Sequence, residues 1–205
     1  MEAEGAMARS TSRSDAFDAK LEGVLAAGAR VIARDGYGNA TIRQVAHEAE
    51  MSLAGLYHYF SSKEELLFLI QHHTFGAILE RLEERLEGAH NPRRRLSVMV
   101  ANHLEHFLAR MNDLRVCARE LESLSGHYFE QVEALRHHYF AITLEIVESI
   151  SLEAGGSRSE PRLATLYLFG MLNWIYMWYP DTDGVSGEEM TEQLLALFLE
   201  GYLPR

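Results

Sequence analysis

The stretch TIRQVAHEAEMSLAGLYHYFSSK, residues 41–63, decides how the rest of the chain is interpreted. Thr41 stands before an apolar-periodic segment, and it is a typical N-cap for a short helix from Ile42 to about Ala49. Ser52 stands in the equivalent N-cap position before Leu53, and it predicts a second short helix, from Leu53 to about Tyr59. Only about three residues join the two helices, which gives the pair the proportions of a helix-turn-helix.

Apolar residues recur at helical spacing on both sides of this stretch, and no strand alternation appears. We therefore predict an all-α protein of about nine helices. A disordered arm (residues 1–14) precedes a three-helix domain (residues 15–62), and a larger helical bundle follows (residues 63–205). The helices are predicted to run from about Asp15 to Arg34, Ile42 to Ala49, Leu53 to Tyr59, Lys63 to Glu87, Pro92 to Met111, Asp113 to Leu124, Gly126 to Glu153, Glu160 to Tyr179 and Ser186 to Gly201.

The charge of the chain is unevenly distributed. Its 205 residues are 47% hydrophobic and 24% charged, an ordinary globular balance, and carry a net charge of -11. Residues 8–63 nevertheless contain seven Lys and Arg against six Asp and Glu, so that almost all of the acidic excess lies after them. A local nucleic-acid-binding face in the N-terminal third is therefore compatible with the acidic whole.

The sequence predicts a cytoplasmic protein. Cys117 is the only cysteine, so an intramolecular disulfide is impossible. The opening residues contain early acids and lack the apolar region of a signal peptide. The longest charge-free run, Leu163 to Pro180, is interrupted by Thr165, Asn173 and three tyrosines. We interpret that run as a buried or subunit-interface helix and expect no membrane partner.

The start of the second short helix suits a DNA groove. Leu53, Ala54 and Gly55 are small enough to let the backbone approach base edges. Thr41 and Ser52 offer hydroxyls and free N–H groups at helix N-termini, which suit phosphate oxygens. Without reference to any known family, these residues leave two interpretations open. One is DNA binding, and the other is a small helical packing module with solvated polar tips.

Flanking side chains extend this candidate surface. Arg43 and Gln44 lie in the first turn of the first short helix, within reach of a phosphate or a base edge. Tyr57, His58 and Lys63 supply polar tips and a cation at the far edge. The predicted DNA-contacting residues are Thr41, Arg43, Gln44, Ser52, Leu53, Ala54, Gly55, Tyr57, His58 and Lys63.

From about Val24 to Leu67 the chain resembles the N-terminal domain of TetR/AcrR-type repressors. The positions that carry the resemblance, without gaps, are Gly36-Tyr37, Thr41-Ile42, Val45-Ala46, Ser52, Gly55, Leu56-Tyr57, Tyr59-Phe60 and Lys63-Glu64-Leu66. The turn reads Ala49-Glu50-Met51 where the family usually has Ala-Gly-Val. The resemblance implies a DNA-binding domain on a larger ligand-binding domain, acting as a homodimer. It also implies base contacts from the start of the third helix and phosphate contacts from the residues matching Thr41, Tyr57, His58 and Lys63.

An aromatic segment, Gly170 to Pro180, is the most informative part of the C-terminal region. Asn173 and the polar tips of its aromatics need partners if they are buried. The residues leave two interpretations open, a large apolar ligand pocket and plain core, and residue by residue plain core is favoured. Together with Arg136 and Tyr139, the segment is similar to the repressor subgroup that responds to acyl-CoA thioesters. That resemblance implies release from operator DNA by a fatty acyl-CoA or a related thioester. The predicted ligand-binding residues are Phe107, Arg119, Arg136, Tyr139, Phe140, Met171, Asn173, Trp174 and Trp178.

The last helix carries an apolar face suited to a subunit contact. That face is formed by Met190, Leu194, Leu197, Phe198 and Gly201, and the helix before it is apolar nearly all round. The family resemblance suggests a two-fold, four-helix contact built from these two helices.

Two alternatives to a repressor are considered. His103 and His106 have a spacing that can bind metal, but no HExxH pattern, Cys/His cluster, phosphate loop or dinucleotide motif accompanies them. We therefore predict no catalytic residue, no metal and no cofactor. The second alternative is a small-molecule or acyl-CoA binding protein whose DNA-binding domain is weak or vestigial, which the small local charge of residues 8–63 keeps open.

Overall fold

The computed structural model describes residues 2–179 and 184–204, with side chains from Phe17 onward. Within these residues the chain forms nine α-helices and two 3₁₀ turns, Leu121–Ser123 and Ile175–Met177, and no strand, so the predicted all-α fold is confirmed. The helices are α1 Glu2–Asp35, α2 Ile42–Glu48, α3 Leu53–Leu56, α4 Lys63–Leu86, α5 Pro92–Ala109, α6 Met111–Arg119, α7 Gly126–Glu153, α8 Pro161–Asn173 and α9 Gly187–Tyr202.

Side-chain caps explain where several helices begin. The Ser62 hydroxyl accepts a hydrogen bond from the Glu65 amide at 3.0 Å and so satisfies a free N–H of α4. The Glu65 carboxylate in turn accepts from the Ser61 amide at 2.6 Å. The Asn91 side chain accepts from Arg94 N at 3.1 Å and so caps α5, whose first residue is Pro92.

Several helix boundaries differ from the prediction. Helix α1 begins at Glu2 instead of near Asp15, so the arm predicted to be disordered is helical. That arm contains no proline, the residue that disfavours a helix most strongly. Helix α3 ends at Leu56 instead of Tyr59. Helix α6 begins at Met111, and Asp113 lies inside its first turn without capping it.

Helix α8 ends at Asn173, whereas the sequence predicted one helix to Tyr179. The chain then tightens into the 3₁₀ turn Ile175–Met177, which packs against α6. Two observations give the reason. The turn buries the side chains of both Ile175 and Tyr176, and the Arg115 guanidinium donates to the Tyr176 carbonyl at 3.2 Å.

Helix α4 joins the N-terminal helices to the bundle. It packs against α1 on one side and against α5 and α7 on the other, and α1 also packs against α6. Gly28 permits the close approach of α1 and α4, because a Cβ there would lie 3.1 Å from methyl groups of Leu66 and Ile70. The core runs without interruption from Leu56 and Phe60 into the bundle, so the boundary near residue 62 stays a prediction. None of the described helices is long and apolar enough to cross a membrane.

Candidate functional site

The short helix α3 presents the predicted base-reading residues to solvent. Leu56 and Phe60 are buried and anchor it, whereas Leu53 and Tyr57 are 38% and 54% exposed. Ala54 and His58 are also exposed. This surface therefore has the one-sided burial that a helix lying on a larger partner needs.

The N-cap of α3 combines two small residues. The Ser52 hydroxyl accepts a hydrogen bond from the Gly55 amide at 3.0 Å and keeps its own proton available for another acceptor. A Cβ on Gly55 would lie 3.2 Å from that hydroxyl oxygen, tighter than most contacts of this kind. Glycine at this position therefore leaves the cap undisturbed and the backbone accessible.

A residue with a left-handed backbone conformation, Glu50, forms the turn before α3. Glu50 has φ 53°, the conformation that glycine adopts without a steric penalty. This is the position at which the family usually has glycine, and the backbone keeps the turn although the side chain is present. The substitution thus leaves the geometry of the turn in place and adds backbone strain to it.

Thr41 and Gln44 bind each other at the start of α2. The Thr41 hydroxyl accepts from the Gln44 amide at 3.3 Å, and the Gln44 side-chain oxygen accepts from the Thr41 amide at 2.8 Å. The Gln44 side-chain amide also donates to Asp35 at 2.9 Å. Both predicted DNA-contacting side chains are exposed, but they already form a capping box. Neighbouring Arg43 is exposed and has no hydrogen-bond or ion-pair partner in the described part of the chain.

Lys63 has a different environment from the one predicted. Its ammonium donates to three carbonyls of the α1–α2 loop, those of Tyr37 at 2.9 Å, Gly38 at 3.3 Å and Ala40 at 3.1 Å. It also lies over the Tyr37 ring, 4.5 Å from the ring centroid. Because an ammonium has three protons, these bonds use its whole donor capacity. In this structure Lys63 holds the loop that leads into α2 and has no proton left for a phosphate.

A cavity of about 380 Å³ is lined by residues of α4, α5, α6, α7 and α8 and by Leu121 of the first 3₁₀ turn. Five of the nine predicted ligand-binding residues line it, namely Phe107, Arg136, Tyr139, Phe140 and Asn173. Its size and its mostly aromatic and aliphatic walls are those of a small-molecule site. The remaining lining residues are Phe75, His103, Leu114, Cys117, Ala118, Leu121, Glu133, His137, Leu166 and Phe169.

The inner end of the cavity holds a buried polar pair. His103 Nδ1 lies 3.2 Å from the Tyr139 hydroxyl, and both side chains are almost fully buried. The other ring nitrogen, His103 Nε2, is buried without a hydrogen-bond partner. Burial, and secondarily the nearby His106, lowers the pKa of His103 to about 3, so the imidazole is neutral at physiological pH.

Arg136 brings a guanidinium to the cavity wall. It donates to the Cys117 carbonyl at 2.8 Å and lies 5.3 Å from the centroid of the Phe75 ring. Burial lowers the pKa of Arg136, and burial raises the pKa of the Cys117 thiol to about 12. Cys117 is therefore an unreactive core thiol at neutral pH.

Four predicted ligand-binding residues lie elsewhere. Arg119 is exposed and does not line the cavity. Met171, Trp174 and Trp178 line an open apolar groove between α8 and α9 instead. The reason is the end of α8 at Asn173, because the 3₁₀ turn that follows directs Trp174 outward, where it is 57% exposed.

The same groove contains most of the predicted subunit-contact residues. Met190, Leu194 and Leu197 line it, and Leu197 is 68% exposed. Phe198 is instead buried within its own chain, where its ring stacks on Tyr202 at 5.5 Å. Gly201 is exposed at the end of α9 and does not line the groove.

Helix α6 connects the cavity with the α1–α2 loop. Cys117 and Leu121 line the cavity, and Glu120 lies between them. The Glu120 carboxylate accepts from the Tyr37 amide at 3.2 Å, and the Glu120 carbonyl accepts from Gln71 at 3.2 Å. A change at the cavity wall thus has a direct polar route to the segment that Lys63 also holds.

The histidine pair of α5 has no metal-site geometry around it. His103 contacts Tyr139, and the intervening Glu105 pairs with Arg81 and Arg85. No group of three or more metal-ligand side chains occurs in the described residues. His106 is buried as well, and burial lowers its pKa to about 4.

His103, Phe75 and Phe169 are cavity residues that the sequence did not predict as ligand contacts. A signal for His103 was available, because it follows Met99 and Val100 and precedes Phe107 on the apolar stripe of α5. A histidine on a buried stripe indicates a polar group inside the fold. The spacing of His103 to His106 instead favoured a metal-binding interpretation.

Two protein families match consecutive parts of the chain. The family described as bacterial regulatory proteins, tetR family, matches residues 24–70. The family described as the Tetracyclin repressor-like C-terminal domain matches residues 89–202, which is more than half of the chain.

Individual relatives agree with these matches. The chain is 21% identical over 181 residues to the fatty acid metabolism regulator protein of Bacillus subtilis (strain 168), covering 87% of this chain and 93% of that protein. A TetR-family transcriptional regulator from Bordetella parapertussis 12822 is 28% identical, with a TM-score of 0.81 over 88% of this chain and 94% of that one. AibR, solved in complex with isovaleryl coenzyme A and operator DNA, is 22% identical, with a TM-score of 0.77 over 87% and 97% of the two chains. The likeness to AibR establishes a common fold.

Proposed function

The chain belongs to the TetR family of bacterial regulatory proteins, and from that premise we propose that it is a cytoplasmic repressor that binds operator DNA as a homodimer and is released by an acyl-CoA. It is a transcriptional regulator and not an enzyme. The observation that carries the proposal is the joining of two sites by α6. The cavity lies on one side of this helix, and the loop leading to the DNA-facing helices is bound at its end.

The DNA-facing surface consists of α3 and the N-terminus of α2. Leu53, Ala54 and Gly55 are the proposed base-contacting residues, because they are exposed or half-exposed at the start of α3. Ser52, Tyr57, His58 and Arg43 are the proposed phosphate contacts. Thr41 and Gln44 retain a supporting role, in which their exposed capping box fixes the N-terminus of α2.

A second copy of the chain is the proposed occupant of the α8–α9 groove. Large apolar side chains are exposed together there, whereas a monomer rarely exposes a contiguous patch of this kind. The family assignment supports a two-fold contact, in which the same patch serves both subunits. Such a dimer presents two α3 helices, and it reads two half-sites when they are spaced by one DNA turn, about 34–36 Å.

The proposed effector is a small acyl-CoA whose acyl group enters the cavity. Most of the lining residues are aromatic or aliphatic, as an acyl group requires. The likeness to AibR, which was solved in complex with isovaleryl coenzyme A, supports this proposal. If each non-hydrogen atom takes ~30 Å³, the share of one water molecule in the liquid, the cavity has room for roughly a dozen atoms, too few for an acyl group together with the nucleotide part of CoA.

The effector acts, in this proposal, by changing the position of α6. Leu114 and Cys117 on this helix line the cavity, as does Leu121 in the 3₁₀ turn that follows it, so that an acyl group contacts α6 directly. Helix α6 packs on α1, and Glu120 holds the Tyr37 amide. A shift of α6 therefore reorients the N-terminal helices, and the two α3 helices lose the spacing of adjacent major grooves.

Operator binding tests the proposal directly. Fluorescence anisotropy with the intergenic DNA upstream of the gene is expected to show salt-dependent binding that an acyl-CoA reverses. An acyl-CoA that binds while no specific DNA site is found would favour the alternative, a ligand-binding protein with a vestigial DNA-binding domain. The observation that favours this second function is that the Lys63 ammonium binds loop carbonyls and is not free to bind phosphate.

A further inference from the structure

The polar pair at the inner end of the cavity lacks one partner. His103 lines the cavity and is almost fully buried, and its Nδ1 is paired with the Tyr139 hydroxyl at 3.2 Å. Its Nε2 is buried with no hydrogen-bond partner. Buried polar atoms in folded proteins nearly always have a partner, so an unpaired one at a ligand cavity indicates a group on the ligand.

The pair lies at the end of the cavity remote from solvent. The Phe107 ring lies 4.7 Å from the His103 ring, centroid to centroid, and is also almost fully buried, whereas Ala118, His137 and Leu166 form an exposed rim. A ligand whose CoA part stays outside must enter between these rim residues. Its thioester then lies near the rim, and only the far end of the acyl group reaches His103.

The other polar groups of the cavity do not take this place. The Arg136 guanidinium donates to the Cys117 carbonyl, and Glu133 and Asn173 are only partly buried. His137 belongs to the exposed rim. The His103–Tyr139 pair is thus the polar recognition element of the enclosed end.

We propose that the acyl group of the effector carries an oxygen at the end remote from the thioester, and that His103 and Tyr139 are the residues that select it. A hydroxyl fits either tautomer of the pair. If the Tyr139 hydroxyl donates to Nδ1, then Nε2 carries the proton and donates to the ligand oxygen, and in the other tautomer Nε2 accepts from the ligand hydroxyl. The inference rests on the proposed function, because it assumes that an acyl-CoA occupies the cavity.

The test compares acyl-CoA pairs that differ at one terminal group. Each ω-hydroxyacyl-CoA of a short series, with hexanoyl, octanoyl and decanoyl backbones, is matched with the acyl-CoA that has a methyl in place of the hydroxyl. Affinities for the full-length dimer are measured by isothermal titration calorimetry. At the length where the oxygen reaches His103, we expect the hydroxylated ligand to bind at least about fivefold more tightly, because the methyl leaves the imidazole unpaired.

Two variants test whether the preference for the hydroxylated ligand arises from the His103–Tyr139 pair. His103→Leu is expected to abolish it, leaving the methyl-terminated ligand the better one. Tyr139→Phe removes only the hydroxyl, so it preserves the packing and is expected to reduce the preference without abolishing it. Circular dichroism and thermal unfolding confirm that each variant is folded before its affinities are compared.

The outcomes separate the two proposals. Methyl-terminated ligands that bind as tightly as hydroxylated ones at every length overturn the assignment of His103, while acyl-CoA recognition stands. A hydroxyl preference that survives unchanged in His103→Leu also overturns it. Failure of every acyl-CoA to bind the wild-type dimer contradicts the proposed effector class, and the inference falls with it.

Discussion

The backbone amide of Tyr37 donates a hydrogen bond to the side-chain carboxylate of Glu120 at 3.2 Å, across 83 positions of the sequence. Tyr37 lies in the loop between α1 and α2, and Glu120 follows the last residue of α6. The Tyr37 carbonyl is held at the same time by Lys63, the first residue of α4. One loop residue is therefore fixed by the helix that lines the ligand cavity and by the helix that joins the two regions.

The engagement of Lys63 distinguishes a loop-positioning residue from a phosphate contact. We expect Lys63→Met to lower the free energy of unfolding by about 1–3 kcal/mol, because three carbonyls lose a charged donor. Operator affinity falls as well, but the slope of log affinity against log salt is unchanged. Urea unfolding and anisotropy at several salt concentrations measure both quantities.

Arg43→Ala is the matched control for Lys63→Met, because Arg43 is exposed and unpaired among the described residues. It is expected to change stability by less than about 0.5 kcal/mol and to reduce the salt slope by about 1. If Lys63→Met instead keeps full stability and reduces the salt slope, Lys63 contacts phosphate directly, as its position in the sequence predicted.

The predicted and observed environments of Lys63 differ, and this difference shows which features of the DNA-facing region can be inferred from the sequence. Spacing and caps were sufficient to predict the helix-turn-helix, because Thr41, Ser52 and Ser62 act locally on the N–H groups next to them. The partner of a lysine is not a local property. The carbonyls of residues 37–40 lie more than twenty positions before Lys63, and only the fold brings them together.

Only part of the lining of the ligand cavity could be predicted from the sequence, for a related reason. Arg136, Tyr139 and Phe140 lie on one stretch of α7, and all three line the cavity. Trp174 and Trp178 follow a helix that is apolar nearly all round, so periodicity does not distinguish its cavity face from its outer face. The end of α8 at Asn173 decides between them, and that end depends on a contact with α6.

The left-handed turn residue Glu50 is a site of removable strain. With φ 53°, it adopts a conformation that costs an L-residue about 1 kcal/mol relative to glycine. We expect Glu50→Gly to raise the free energy of unfolding by up to about 1 kcal/mol, less any entropy gained by the unfolded chain. Urea unfolding measures the change. Glu50→Ala retains the strain, so an equal gain in that variant would attribute the effect to charge and not to the backbone.

A charge in the α8–α9 groove is expected to separate the subunits. Leu197→Glu places a carboxylate at a position that is 68% exposed in the single chain and is covered in the proposed dimer. Sedimentation velocity should then show a monomer with weakened operator binding, because a buried unpaired charge is costly. Leu152→Glu is the control, since Leu152 is 82% exposed at the end of α7, outside the groove. A dimer that persists in Leu197→Glu would contradict this interface.

Buried titratable groups give stability a defined pH dependence. Burial lowers the pKa of His103 from 6.5 to about 3 and that of His106 from 6.5 to about 4, so at acid pH the unfolded chain binds two protons that the folded chain does not. Burial raises the pKa of Asp113 from 3.8 to about 6, so the folded chain retains one extra proton there. The net difference from these groups is one proton bound by the unfolded chain between about pH 6 and pH 4.

These groups therefore lower the free energy of unfolding by about 1.4 kcal/mol per pH unit as the pH falls from 6 to 4. His103→Leu removes one of the two histidine protons and is expected to flatten this dependence. Phe107→Leu, a change in the same cavity without a titratable group, should lower stability at all pH values and keep the slope. Urea unfolding across this pH range measures the slope, and an unaltered slope in His103→Leu would show that His103 is protonated in the fold.

The most direct measurement of the central claim is effector titration into the protein–operator complex, followed by fluorescence anisotropy, for the wild type and Glu120→Ala. Glu122→Ala, an exposed neighbour outside the network, is the control. Octanoyl-CoA and its ω-hydroxy counterpart serve as probes. Our account predicts that a probe releases the wild type and Glu122→Ala from the operator. Glu120→Ala is predicted to bind the probe but to stay on the DNA, because the link from α6 to Tyr37 is lost. Operator affinity that is unchanged by a probe bound in the wild-type cavity would contradict the account.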